Sequence, residues 1–369
     1  MTDPETEHEK ELKEDQNDPI LVDRDFKYAR LYRCWLDGRE PELLTTEDYH
    51  VGSFDVSPAG NSVVFSRQPT PKVPDGRLNS DLSLLDLSSG RVQNLVEQPG
   101  LDIDPSFSPD GKQIAFVSMD GKADWINNYY VYLVDPNGRG LRNVSEAFDE
   151  RVSGPLTWGS DGNHIYFLGY EHGDRRVWTL DIAGETVEPV SGFDDGKTVS
   201  SFDVGEDGQV LLALSAPNLP AEIHLAEGGK KLTSVNENYD KGKIGETELF
   251  TYESHDGRPM EGYIVRPVGY EEGKKYPLLV IVHGGPSGVH SSAFTPRRGV
   301  YPVLGFAEKG YAVFLPNPRG SGGFGVEFRR SNFKDWGYGD YQDIMTGVDR
   351  LIEKGLVDED RMGIMGWSY

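Results

Sequence analysis

Four times between residues 53 and 213 the chain repeats one local pattern: a short apolar-alternating run, a turn of the Ser-Pro-Asp-Gly type, and a second run rich in β-branched and aromatic residues. Residues 53–56 lead through Ser57-Pro58-Ala59-Gly60 into 62–65, and 105–107 through Ser108-Pro109-Asp110-Gly111 into 113–117. The third copy turns at Gly159-Ser160-Asp161-Gly162 and the fourth at Gly205-Glu206-Asp207-Gly208. In the first three a later apolar run follows, ending near Asp86, Asp135 and Asp181. Proline presets φ and glycine accepts φ > 0, so each copy predicts strand, turn, strand. Short strands repeating every ~45 to 50 residues predict blades of a β-propeller. Four blades are visible and a partial one lies at 31–36; a generic sandwich does not require this regular spacing.

Near residues 239–243 a polar joint, Tyr239-Asp240-Lys241-Gly242-Lys243, separates the repeats from a different pattern. Runs at 249–252 and 262–265 flank an Asp256-Gly257 turn and predict an antiparallel pair. Residues 276–283 and 312–316 are nearly continuous apolar runs, as expected of strands covered on both faces. Ile344, Val348, Leu351 and Ile352 give a helical stripe over 340–354, and 362–365 reads as a further strand. Alternation of strands and helices predicts a mostly parallel, doubly wound sheet. The expected organisation is an acidic flexible tail at 1–17, an incomplete β-propeller at 18–242, and part of an α/β domain at 243–369.

Composition narrows the function classes. With 61 acidic against 37 basic residues the net charge is −24, which argues against nucleic acid or an anionic membrane surface as partner. Asp3, Glu5, Glu7, Glu9, Glu11, Glu14 and Asp15 concentrate part of that charge at the start, where a solvated tail is expected. The single cysteine, Cys34, excludes an intrachain disulfide and suits a reducing compartment. No run approaches the ~20 apolar residues that span a bilayer, and a cytoplasmic location is expected.

Three motifs in the second part carry chemistry. His283-Gly284-Gly285-Pro286 follows a buried strand, and its glycines let a backbone N–H approach and donate to a developing oxyanion. Asn317-Pro318-Arg319-Gly320-Ser321-Gly322-Gly323-Phe324-Gly325 follows the next; it lacks the Lys-Ser/Thr ending of a phosphate-binding loop, so nucleotide binding is not expected. Arg319 is placed to hold loop carbonyls or a carboxylate. The last is Gly366-Trp367-Ser368-Tyr369, four positions of the Gly-x-Ser-x-Gly nucleophile elbow. Ser368 is the candidate nucleophile, and the residue after such a serine, Tyr369, is the second expected oxyanion donor.

In this order and spacing the motifs resemble the prolyl oligopeptidase family of serine peptidases, most closely its acylaminoacyl peptidase and dipeptidyl aminopeptidase branch. The matching residues are 283–286, 317–325, the segment from Asp335-Trp336-Gly337 to Asp343, and 366–369, behind the Ser-Pro-Asp-Gly repeats. The resemblance implies a propeller capping an α/β-hydrolase, short peptides as substrates, an acyl-enzyme on Ser368, and the N–H groups of Gly285 and Tyr369 as oxyanion donors. His283 and Gly284 are expected to support that loop.

In α/β-hydrolases the acid and histidine follow the nucleophile in chain order, so neither is expected within 1–369. The chain is therefore expected to be an interior segment of a longer enzyme, inactive alone, with a complementing C-terminal fragment or a homo-oligomer as the partner classes left open. None of the eight histidines has a place suited to a substitute base, and no metal or cofactor is expected. A reading from a different class is a non-catalytic propeller that binds peptides or proteins. The strand at 362–365 is expected to form an exposed apolar sheet edge, with aggregation or partial disorder of the second half in isolation.

Overall fold

The repeats fold as antiparallel sheets in chain order. The computed structural model describes residues 1–19, 23–190, 196–239, 244–295 and 299–368. Helix α1 (Glu7–Glu14) is followed by a small ribbon of β1 (Tyr32–Arg33) and β2 (Glu42–Leu43). The first repeat comprises β3 (His50–Val56), β4 (Ser62–Gln68), helix α2 (Val73–Leu78), β5 (Asn79–Asp86) and β6 (Val92–Val96). The second comprises β7 (Gly100–Phe107), β8 (Ile114–Ser118), β9 (Tyr130–Val134) and β10 (Arg142–Asn143). The third comprises β11 (Ser153–Trp158), β12 (His164–Glu171), β13 (Asp174–Asp181) and β14 (Thr186–Pro189); the fourth has β15 (Thr198–Val204), β16 (Val210–Ala216) and β17 (Leu219–Leu225). Each is an antiparallel meander, and a short parallel contact between β5 and β7 joins the first two.

The four turns close alike. The N–H groups of Gly60, Gly111, Gly162 and Gly208 donate to the carbonyls of Ser57, Ser108, Gly159 and Gly205 at 2.8 to 3.0 Å. The φ values of these glycines are 67°, 71°, 68° and 79°, a region costly for residues with a Cβ. Apolar residues from neighbouring sheets interlock: Ala115, Val117 and Leu133 of the second pack with Trp158, Ile165 and Phe167 of the third.

The acidic segment departs from the flexible tail expected of it. Thr6 and Glu9 form a capping box, the Thr6 hydroxyl accepting from the Glu9 N–H at 3.2 Å and the Glu9 carboxylate accepting from the Thr6 N–H at 2.6 Å. Asp3 takes the Arg30 guanidinium at 2.9 Å and anchors the segment to the following chain. No residue of the helix is buried, and its inner face is only half covered at Glu9 and Leu12.

The second part is built on β18 (Thr247–Glu253), β19 (Pro259–Val265), β20 (Tyr276–Val282), α3 (Val303–Glu308), β21 (Ala312–Asn317), α4 (Gly325–Arg330), α5 (Gly339–Glu353) and β22 (Val357–Gly366). Strand order is β18-β19-β21-β20-β22. β21, β20 and β22 are parallel, whereas β18–β19 and β19–β21 are antiparallel, so the sheet is mixed rather than mostly parallel. The Asp256-Gly257 hairpin accounts for the β18–β19 pair, and the docking of β19 antiparallel beside β21 accounts for the other.

Alternation along the central strands covers both faces. Phe314, Leu278 and Val280 face Ile344, Val348 and Leu351 of α5, while Val313, Leu315 and Ile281 face Val303, Leu304 and Ala307 of α3. At Gly347 of α5 a Cβ would lie 2.7 Å from the Phe314 ring, so only glycine lets the helix lie this close. β22 forms the sheet edge, with Met362 and Ile364 exposed. Among the described residues no helix is long and apolar enough to cross a membrane.

Candidate active site

The three glycine-bearing motifs leave the same end of the sheet. In the parallel register Val280 pairs with Phe314 on one side and Ile364 on the other, and Val282 pairs with Gly366. The chain therefore emerges from β20 into His283-Gly284-Gly285, from β21 into the 317–325 loop, and from β22 into Trp367-Ser368, side by side. In open α/β sheets this carboxyl-end crevice is where ligands bind.

Ser368 has φ 71°, a left-handed conformation that is strained for a residue with a Cβ. That strain marks an elbow: β22 stops at Gly366, the chain turns within two residues, and Ser368 is exposed. At Gly366 a Cβ would stand 3.1 Å from the Val282 carbonyl of the adjacent strand, a tight approach that glycine relieves. Among the described residues Ser368 forms no hydrogen bond to any histidine. Tyr369, the second expected oxyanion donor, lies outside the described residues.

Gly285 has φ 137°, and a Cβ there would meet the backbone nitrogens of Ser287 and Gly288 at 2.4 Å. Only glycine allows this turn, which the Gly288 N–H closes by donating to the Gly284 carbonyl at 3.1 Å. The Gly285 N–H itself has no partner among the described residues, so it remains free to donate.

His283 is buried and stands between two loops. Its Nδ1 lies 3.0 Å from the Gly284 carbonyl, which can only accept, so Nδ1 carries the ring proton; Nε2 lies 3.0 Å from the Ser321 hydroxyl, which also reaches the Pro318 carbonyl at 2.6 Å. Burial pushes His283 below its ordinary pKa, which keeps the ring neutral. Beside it His290 donates Nε2–H to the Ile281 carbonyl at 2.8 Å, and burial, the largest cause, lowers its pKa to about 3. Both histidines are therefore struts of the 283–290 loop.

Arg319 makes a fork with Asp343, Nε to one carboxylate oxygen at 2.8 Å and a terminal nitrogen to the other at 2.7 Å, and reaches Asp256 at 3.0 Å. Asp343 sits one turn into α5, fully buried, and also accepts from the Ser254 hydroxyl at 2.5 Å. This fork raises the Arg319 pKa and fixes the loop to α5 and the β18–β19 hairpin. His255, Asp256 and Asp343 place three possible ligand atoms within 4.8 Å of one another, yet both Asp343 oxygens already receive Arg319, so a guanidinium stands where a cation would.

Residues of the four-sheet half also reach these loops, and local sequence carries no sign of them. The Ser292 hydroxyl donates to Asp174 at 2.6 Å, its N–H donates to the Gly173 carbonyl, and Glu150 receives the 317–325 loop. Their partners lie more than a hundred positions away in sequence, beyond any periodicity or motif.

Comparison with known proteins agrees with this geometry. Residues 301–369 match the model of the prolyl oligopeptidase family. Dipeptidyl-peptidase 5 of Porphyromonas gingivalis is 29% identical over 328 residues, covering 86% of this chain and 47% of that protein. The uncharacterized peptidase YuxL of Bacillus subtilis is 28% identical, covering 95% of this chain and 67% of its own. The acylaminoacyl peptidase of Pyrococcus horikoshii superposes with a TM-score of 0.69 at 25% identity, over 85% of this chain and 47% of that one. A puromycin-hydrolyzing peptidase of Mycobacterium tuberculosis shares the fold, with a TM-score of 0.64 at 20% identity. The chain spans about half the length of the curated relatives it matches. The sheet repeats, the hydrolase-type sheet and the ordered glycine motifs agree with these matches: residues 301–369 carry the prolyl oligopeptidase family pattern, and the chain is similar to serine peptidases of that family.

Proposed function

We propose that this chain carries the nucleophile and oxyanion half of a serine peptidase site. One observation carries the reading: β20 and β22 are parallel neighbours, Val282 opposite Gly366, so the Gly285 loop and the strained Ser368 leave the sheet together. Ser368 attacks the carbonyl of a short peptide or of a peptide N-terminus, forming an acyl-enzyme. The carbonyl oxygen, now carrying charge, accepts from the Gly285 N–H and from that of Tyr369.

A serine hydroxyl needs a base to take its proton. No described histidine reaches Ser368, and the rings of His283 and His290 are committed to the loop. In this reading the base and the acid that orients it come from outside residues 1–369. The names of the relatives support peptide bonds as the target, and the four-sheet half packs against the 317–325 and 287–295 loops as a cap would.

A fluorophosphonate probe applied to the native gene product in its host tests this. The expected result is a covalent adduct mapped to the peptide containing Ser368, absent after Ser368→Ala. Failure to modify that peptide while other serine hydrolases in the same lysate react would overturn the proposal.

A further inference from the structure

The 317–325 loop is shaped from outside its own half of the molecule. Glu150, buried just before β11, accepts from the Gly323 N–H at 2.7 Å and the Gly325 N–H at 3.2 Å through one carboxylate oxygen. Its other oxygen receives the guanidinium of Arg329, which is itself fully buried and donates to Asn128 at 2.7 Å. The His172 N–H donates to the Gly323 carbonyl at 2.7 Å. Gly323, at φ 88°, passes so close that a Cβ would stand 2.1 Å from the His172 carbonyl oxygen.

From that loop the oxyanion loop is one hydrogen bond away by each of two routes. Ser321 meets His283 at 3.0 Å, and the Gly322 N–H donates to the Gly288 carbonyl at 3.3 Å. A buried ion pair is a weak source of net stability, because desolvation offsets most of the attraction. One carboxylate oxygen bonded to two nearby backbone N–H groups is, by contrast, a stringent constraint on loop shape.

We infer that Glu150 is a positioning residue: its carboxylate sets the shape of the 317–325 loop and, through Ser321 and His283, that of the loop bearing the Gly285 N–H. Its catalytic consequence rests on the peptidase reading of Ser368; the coupling of the two loops does not.

Amide exchange read by mass spectrometry, on wild type, Glu150→Gln and Glu150→Ala, tests it together with the fluorophosphonate reaction rate at Ser368 well below the melting temperature. Loss of the charged acceptor in Glu150→Ala is expected to speed exchange at least about tenfold in both 317–325 and 283–288, and to slow labelling, with β12 and β13 unchanged. Glu150→Gln keeps an oxygen for Gly323 and Gly325 and is expected to retain most of the protection, and it remains informative if the alanine variant does not fold. Exchange that rises in 317–325 while 283–288 stays as protected as in wild type overturns the inference, as does wild-type labelling in a folded Glu150→Ala protein with both loops loosened. A wild type that does not react with the probe counts against the peptidase reading alone, and the exchange comparison still decides the role of Glu150.

Discussion

His283 Nε2 and Ser321 Oγ lie 3.0 Å apart and join two glycine-bearing loops that leave adjacent strands of the sheet. The ring proton is assigned to Nδ1, because the Gly284 carbonyl 3.0 Å from it can only accept, and Nε2 faces the Ser321 hydroxyl as an acceptor. A histidine held this way is neutral, buried and occupied. It gives the 283–288 loop a fixed floor, and its ring nitrogens are occupied there rather than at Ser368.

The strain at Ser368 has a stability signature. Glycine adopts φ 71° without a Cβ clash, whereas alanine keeps the clash and loses only the hydroxyl. Ser368→Gly is expected to be more stable than Ser368→Ala by about 1 kcal/mol, read from urea denaturation, with neither variant labelled by a fluorophosphonate. Equal stabilities would mean that the elbow is relaxed in solution.

At Gly285 the constraint is geometric. A methyl group would meet two backbone nitrogens at 2.4 Å, so Gly285→Ala must move the loop and its free N–H. The expected outcome is a fall of about 10²-fold in the labelling rate of Ser368, the usual effect of losing one oxyanion donor, measured well below a melting temperature that the strained alanine lowers. An unchanged rate would show that this N–H takes no part.

Asp343 is fully buried against Arg319, and removing it leaves the guanidinium with only the partly exposed Asp256. Asp343→Ala is expected to cost about 3 kcal/mol of unfolding free energy, against about 1 kcal/mol for Ser254→Ala, which removes one hydrogen bond to the same carboxylate. Arg319→Lys is also expected to destabilise, because an ammonium cannot reproduce the fork.

His172 sits where β12 meets the second half, its Nδ1 3.0 Å from Glu261. The hydrogen bond to Glu261 raises its pKa, with smaller contributions from the charges of Glu171 and Asp174, while partial burial opposes them. A raised folded value means that the stabilising contribution is complete below the unfolded pKa near 6.5 and fades as pH rises through the folded value. An NMR titration is expected to show His172 titrating above 6.5 in wild type and moving down in Glu261→Gln. A value at or below 6.5 in wild type would show that the pair does not form in solution.

Much of the architecture was legible because it is local. The Ser-Pro-Asp-Gly turns, the strand pairs around them, the apolar strands at 276–283 and 312–316 and the helix beginning near 340 each depend on residues within one turn or one pleat of each other. The elbow at Ser368 and the glycine turn at Gly285 were legible for the same reason, since backbone freedom is written into residue type. The helix in the acidic segment was missed because its charge run resembles a solvated tail, and what stabilises it is a capping box joined to the contact between Asp3 and Arg30.

Pairing across the molecule was not legible. That Glu150 accepts from Gly323, that Asp174 holds Ser292, and that Asp343 receives Arg319 depends on which surfaces meet, and a carboxylate has the same local signature whether solvated or buried. The mixed direction of the sheet was likewise decided by how β19 docks beside β21, not by the pattern of either strand. The sequence by itself determined the turns, the strand and helix periods and the residues able to do chemistry, because steric limits on φ and side-chain alternation act over a few positions. Only the tertiary structure decided which loops brace one another, because hydrogen bonds between distant residues exist only once burial removes water as their competitor.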